Sequence, residues 1–391
     1  HTKVSDAGLF LACLSADPCI HSHRARSVDS PVSLAYPWRF RHPISEGETM
    51  SNQRGSAPPY YRALEAYQDR SWRQGVGQIL TSVLPYLALM TAMAYTVVAG
   101  QPYWISLLFV VPAALFLIRV FIIFHDCTHS SFFPSQRANR ILGHVTGTLT
   151  FTAYEPWRRS HLHHHATTGQ LDHRGFGDVR TMTVEEYVEA SPRERLLYRA
   201  YRHPLVMFFV GSFFMFVVNN RFAGLAGTRA ERNSVLITNA GLIAIALAVS
   251  IPLGFSTYLA VQLPVIVVAG VFGIWLFYVQ HQFDPSYWAR DAEWDRIDAA
   301  VHGSSHYKLP AILRWFTGNI GIHHLHHLRP RIPSYQLYRA YKNVPDASVA
   351  EPLTFWESLK AVRYNLWSEA QRRFMSFREA QKLLRASRAQ A

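Results

Sequence analysis

Polarity along this chain changes on a scale of tens of residues. Residues 76–99 form an uncharged apolar run, and after a break at Gly100-Gln101-Pro102 a second run covers residues 104–124, interrupted only by Arg119. Residues 235–253 and 258–279 make a second pair, with Gly254-Phe255-Ser256 at the tip between them. Each run approaches the roughly 20 apolar residues an α-helix needs to cross the hydrocarbon core of a bilayer. The pattern predicts an all-α integral membrane protein with four transmembrane helices in two hairpins. The polar stretches between and after them supply interfacial helices and a helical cap. Residues 60–73 are amphipathic (Leu64, Tyr67, Trp72) and read as a surface helix at the headgroups. Residues 141–154 form a semi-polar apolar patch, and residues 205–218, marginal in length for a span, read as interfacial or re-entrant.

Residues 1–49 show no sustained periodicity, and the first methionine is Met50. The expected organisation is therefore a spurious or disordered extension over 1–49, carrying His21, His23 and His42, followed by one membrane domain over 50–391.

Charge gives an orientation. The chain carries 39 Lys and Arg against 26 Asp and Glu, a formal net charge of +13. Neither hairpin tip holds a Lys or Arg, whereas the N-terminal flank, the long middle segment and the C-terminal portion do. The bias of basic residues towards cytoplasmic loops puts those three segments and both termini on the cytoplasmic side. The excess flanks the apolar runs and matches no nucleic-acid-binding motif, so a membrane surface is the expected partner and nucleic acid is not. Three cysteines (Cys13, Cys19, Cys127) without a CxxC pair make no disulfide framework.

Histidines change the picture from a membrane protein to one with a site. They cluster as His125-Asp126-Cys127-Thr128-His129, His161-Leu162-His163-His164-His165 and His323-His324-Leu325-His326-His327. On a helix, His125 and His129 share a face at i and i+4. His161, His164 and His165 follow i, i+3, i+4, as do His323, His326 and His327, so each set can aim at a common point. Cys127, at i+2 from His125, reads as a small buried residue. His163 and His324 would point elsewhere. His144, His173 and His203 lack partners at ligand spacing; His302 and His306 have it, but Gly303-Ser304-Ser305 between them argues for a loop. His281 leaves the fourth span at the same side as the clusters and joins them. Nine imidazoles exceed one ion's usual coordination and suit two. Imidazole alone does not choose among zinc, copper, iron and nickel. A site at the membrane boundary suits an acyl chain entering from lipid, whose unactivated C–H bonds call for iron and O2.

At these residues the chain resembles the membrane fatty acid desaturase family, with its three boxes HxxxH, HxxHH and HxxHH. The similarity to bacterial acyl-lipid desaturases of the Δ12 type continues in Trp157-Arg158-Arg159-Ser160, Ala166-Thr167-Thr168-Gly169, Gly175-Phe176-Gly177-Asp178-Val179 and Val279-Gln280-His281-Gln282-Phe283. It includes Gly303-Ser304-Ser305, Gly318-Asn319-Ile320-Gly321 and Arg329-Pro330-Arg331-Ile332-Pro333-Ser334-Tyr335. It spans about residues 60–385. The resemblance implies a non-haem di-iron enzyme that uses O2 to place a cis double bond in a fatty acyl lipid. His125, His129, His161, His164, His165, His281, His323, His326 and His327 would be its ligands, with no catalytic residue beyond them. Asp126, Asp178 and Asp284 would accept ligand N–H groups, and Asn319 would hold a metal-bound water or make a turn. Thr128 stands where relatives often have Gly. No haem segment of the His-Pro-Gly-Gly type is present, so two electrons would come from a separate ferredoxin-like donor, drawn to the basic face. The alternatives are a di-iron hydroxylase or ketolase of acyl, alkane or carotenoid substrates and, remotely, a metal transporter.

Overall fold

Two long apolar helices open the described structure: α1 (Trp72–Val98) and a span from Tyr103 to Thr128 whose main helix is α2 (Val110–Thr128). In this computed structural model residues 59–224, 227–345, 350 and 352–390 are described. The expected start at Met50 and the histidines before it lie outside the described residues. The 27 residues of α1 reach about 40 Å, enough for a hydrocarbon core of about 30 Å. One face of α1 (Gln78, Ser82, Tyr86, Met93) is buried, while Leu80, Leu84 and Leu87 are exposed at helical spacing. Among the described residues a large exposed apolar face like this marks a surface for lipid.

α3 (Gln136–Leu149) and α4 (Tyr154–Thr167) follow. α3 lies close beside α2 at Gly147, where an added Cβ would stand 2.9 Å from the Phe124 ring and 2.5 Å from the Thr152 carbonyl, while Gly143, one turn earlier, makes room for the Tyr154 ring of α4. α5 (Arg229–Leu253) and α6 (Phe255–His281) complete the four helices among the described residues that are long and apolar enough to cross a membrane. Only Gly254 separates them, at φ 90°, a conformation that glycine adopts freely. The interior is shared by α1, α2 and α6: Tyr86 and Met93 pack with Ala113, Ala114, Leu117 and Ile118, and with Val261, Val265 and Ile266. α5 begins with a capping box, Thr228 and Glu231. The buried Glu231 also takes the Arg159 guanidinium at 2.7 Å, fixing α4 to the foot of α5.

α7 (His323–Leu328) and α8 (Ser334–Asn343) belong to the polar cap. Two small sheets amend the all-α expectation. β1 (Met182–Thr183), β4 (Leu366–Ser368) and β5 (Arg373–Met375) form one, and β2 (His306–Lys308) pairs in parallel with β3 (Pro352–Thr354) in the other. Their strands join residues far apart in sequence, such as Met182 with Leu366, and are too short to show a period.

The expected surface helix over 60–73 is broken. A helical turn (Pro59–Ala63) and a 3-10 turn (Leu64–Tyr67) precede an extended break, and Ser71 caps α1. Leu64 is not at headgroups; it is fully buried against Val301, Ile322 and Leu325, and this burial outweighs a continuous helix. Leu205–Gly211 and Phe214–Val218 are π-helical, and Leu205–Arg221 forms with Pro192–Tyr201 a pair bent by 65° that is either a broken fifth span or a re-entrant segment. Arg119 is buried in the second span with its guanidinium 3.8 Å from the centre of the Trp315 ring.

The two glycine environments predict opposite outcomes. Gly147→Ala should lower stability by about 1–3 kcal/mol through overpacking against Thr152 and Phe124. Gly77→Ala, where an added Cβ meets nothing within 4 Å, should raise it by about 0.5–1 kcal/mol. Thermal unfolding midpoints of the detergent-solubilised variants would check both.

Candidate metal centre

The C-terminal ends of α2 and α6 meet α4 and α7, and every box histidine arrives there on a helix. His125 lies in the last turn of α2 and His129 caps it; His161, His164 and His165 project from α4. His281 is the last residue of α6, and α7 carries His323, His326 and His327. All nine are buried.

Two groups form. Ring nitrogens of His125, His129, His161, His165 and His326 lie within 4.8 Å of one another, and so do those of His164, His281, His323 and His327. This corrects the expectation that each box aims at one point. In α4, the i and i+4 members (His161, His165) join the first group and the i+3 member (His164) joins the second. In α7 the i and i+4 members (His323, His327) join the second group and His326 the first. The cause is helical geometry: residues at i and i+4 are offset by about 40° and the one at i+3 by about 60° the other way. Each of these helices therefore faces both groups. The groups touch, since the rings of His165 and His327 stack at 4.0 Å.

The donor chemistry fits cations. Nε2–Nε2 separations are 2.9 Å for His129 and His161, 3.0 Å for His164 and His281, and 2.9 Å for His281 and His323. His125 Nδ1 faces Asp126 Oδ1 at 3.2 Å and His281 Nδ1 faces the Gly303 carbonyl at 3.2 Å. Those acceptors place the proton on Nδ1 and leave Nε2 as a bare lone pair turned into the site. His125 Nε2 is buried without a hydrogen-bond partner. Burial also holds His129, His161, His164, His165, His323, His326 and His327 well below the ordinary histidine range, so they are neutral at pH 7; neighbouring histidines add to the effect. Converging lone pairs with no anion among them form a cavity for positive charge, and either group could hold a metal ion.

Side chains around the groups lock them. The orphan carbonyls at the end of α2 are taken from α4: Tyr154 Oη donates to the Cys127 carbonyl at 2.9 Å and Arg158 Nε to that of Thr128 at 3.1 Å. The Trp157 ring stacks on His161 at 4.3 Å. Asp126 Oδ2 accepts from the Ser334 amide at 2.7 Å, Ser334 Oγ accepts from buried Gln78 at 3.1 Å, and Asn319 Nδ2 donates to the Ser334 carbonyl at 2.9 Å. Gln78, Trp157 and Ser334 were missed as supporting residues. Trp157 and Ser334 fall in the stretches that resemble the family, without a role read from them; Gln78 carries no local signal and reaches Asp126 only through Ser334.

The remaining candidates fall elsewhere. Asp178 accepts from the Gly175 amide at 2.7 Å in a loop that packs Phe176 against His163. Asp284 is exposed, near the Phe374 amide. Asn319 sits in a turn at φ 63° and acts on Ser334 rather than on a ligand ring. Cys127 is buried among Ile123, Phe124 and Tyr154. His302 ends a helix while His306 lies in β2 beside Tyr341, so their spacing is not that of one helix. His144 packs on Tyr154, and His173 is 3.5 Å from Asp291 at the surface.

A helical bundle with four membrane-length helices among the described residues and two adjoining histidine groups, each able to hold a metal ion, defines a membrane-protein scaffold with a candidate metal centre. Residues 101–358 match the family described as "Fatty acid desaturase". A fatty acid desaturase of Bacillus subtilis (strain 168) is 42% identical over 317 residues, covering 81% of this chain and 90% of that protein. An sn-1 oleoyl-lipid 12-desaturase of Picosynechococcus sp. is 27% identical over 309 residues (74% and 84%). An endoplasmic-reticulum omega-3 fatty acid desaturase of Vigna radiata is 25% identical over 324 residues (78% and 82%). The chain belongs to the fatty acid desaturase family, and with it come a lipid substrate and association with a membrane.

Metal removal and substitution test the groups. Protein purified with metal should carry two ions per chain, and His164→Ala should leave fewer than two, whereas His163→Ala should keep both. Asp126→Asn, which weakens the acceptor on His125, should reduce metal affinity about ten- to hundredfold. Elemental analysis after dialysis against graded chelator reads all three.

Asp178 supplies a pH test. Burial raises its carboxyl from 3.8 to about 6. A raised folded-state pKa contributes stability below the unfolded value and loses it as pH rises through the folded one. Asp178→Asn should thus match the parent at pH 4 and exceed it at pH 8. The gain should be on the order of 1–2 kcal/mol, given partial exposure. Unfolding midpoints of both proteins at the two pH values check the sign.

Proposed function

We propose that this desaturase acts on fatty acyl groups of membrane lipids, using O2 and two iron ions. One ion is assigned to His125, His129, His161, His165 and His326, and the other to His164, His281, His323 and His327. The observation that carries the reading is the pair of adjoining all-imidazole groups at the ends of two apolar helices. Bound there, iron supplies the O2 activation that removal of hydrogen from an unactivated methylene requires. Overall, two adjacent methylenes lose two hydrogens, and O2 with two further electrons and two protons leaves as two waters.

The chain's own residues bind and orient. Asp126 and the Gly303 carbonyl hold their rings with Nε2 inward, and Trp157 fixes the plane of His161. Burial excludes water from the nine rings. The charge-free tips of the helix pairs and the basic remainder support a two-hairpin topology, with the helical cap, the site and both termini in the cytoplasm. The same basic face suits an acidic, separate electron donor. Residues 50–391 form the enzyme domain in this reading. The names of the cyanobacterial relatives support an acyl-lipid substrate over a free acid.

Expression in a host without polyunsaturated lipids, followed by double-bond mapping, tests the reading. The expected product is lighter than its precursor by two mass units and carries a cis double bond; His164→Ala should abolish it. A product heavier by sixteen mass units would make the protein a hydroxylase. Zinc alone in the purified protein, with unchanged lipids, would point to metal handling.

A further inference from the structure

Arg119 stands inside an apolar span, and among the described residues no carboxylate pairs with it. Its side chain is more than nine-tenths buried, its Nε has no hydrogen-bond partner, and its charge meets only the face and carbonyl of Trp315. A buried cation of this kind is costly unless an anion completes it. The guanidinium lines a cavity of about 380 Å³ with Arg314 and Arg339, and among the described residues no acidic side chain contributes to the wall. Gln78, Asn319 and Ser334 add neutral hydrogen-bonding groups. A neighbouring cavity of about 250 Å³ shares Arg314, Asn319 and Tyr338 and adds Lys308 and Lys342. None of these five cations forms a salt bridge among the described residues. Arg314 instead lies 3.9 Å over the Tyr338 ring, leaving its edge open to a ligand.

Placement distinguishes a lipid from a soluble anion. Arg119 precedes His125 by six residues, about 9 Å along α2 on the membrane side of the metal groups. The short helix Ala311–Phe316 forms one wall and exposes Ile312 and Trp315, an aliphatic and an aromatic side chain suited to the bilayer interface. Ser334, in the same wall, is the residue that holds Asp126 and through it His125.

We propose that this cavity binds the phosphate of a lipid headgroup, with Arg119 as the buried anchor and Arg314 and Arg339 at its mouth. The cavity would thereby hold the headgroup of a phosphoglyceride beside the metal groups, which rests on the acyl-lipid reading above only in making that lipid the substrate. Phosphate chemistry could also come from a free anion, and the probes separate the two.

Native mass spectrometry of the full-length protein in detergent would count bound phosphatidylglycerol, with an uncharged diacylglycerol and inorganic phosphate as the other probes. The expected result is saturable binding of phosphatidylglycerol, no comparable binding of diacylglycerol, and no competition from millimolar phosphate. Arg119→Gln should weaken binding at least tenfold. Arg339→Glu, an exposed change that leaves the core intact, should weaken it about fivefold or more, as expected for reversing a charge at contact distance in water. Equal binding of the uncharged lipid, unchanged affinity in Arg339→Glu, or displacement by inorganic phosphate would overturn the proposal. Binding is measured without turnover. A protein that binds the lipid but makes no double bond removes the acyl-lipid reading alone, and one that desaturates without this binding removes the headgroup site alone.

Discussion

Desolvated imidazole is the constraint on which the rest of the structure depends. Nine rings are crowded out of water, burial keeps seven of them neutral, and their inward nitrogens repel one another unless a cation lies between them. Such a cluster has to be held open by force from outside, and the surrounding contacts supply it. Tyr154 and Arg158 of α4 take the terminal carbonyls of α2, Glu231 of α5 takes Arg159, and the Gly303 carbonyl turns His281. The apolar helices give these polar ties a rigid footing, because their buried faces interlock around Tyr86, Leu117 and Val265.

Much of this was legible in the chain. Long apolar runs read out as helices because length and hydropathy are local properties, and the four expected spans correspond to four membrane-length helices. Histidine spacing was equally direct, and His281 stood out by its place at the end of a run. Other features rest on contacts between distant segments. Leu64 looked like an interfacial residue because nothing local shows that Val301 and Leu325 will cover it. The two small sheets pair residues up to 184 positions apart, as Met182 with Leu366, in strands too short to carry a period. Asp284 carried the right chemistry at the right distance in sequence from His281, but the chain turns it out to solvent.

Asp126 shows how the site and the frame are joined. It is adjacent to His125 in sequence, so its contact with that ring is local, yet its other oxygen reaches the start of α8, and Ser334 there is gripped by Gln78 of α1. One carboxylate thus links the His125 ring, the first span and the segment after the last box. The pocket with Arg119 opens on the other side of the same serine. Events at the membrane boundary and at the histidines therefore share a wall.

The division of each HxxHH helix between two groups has a consequence for assembly. Since α4 and α7 each face both groups, neither group can form its geometry while these helices are loose, and ordering one group orders both. Under the proposed assignment, the first ion to arrive does most of the work of building the second position. Uptake becomes cooperative, and a half-filled centre is a short-lived species. The distance between the two histidine groups is likewise not adjustable by loops; it is a property of helical pitch.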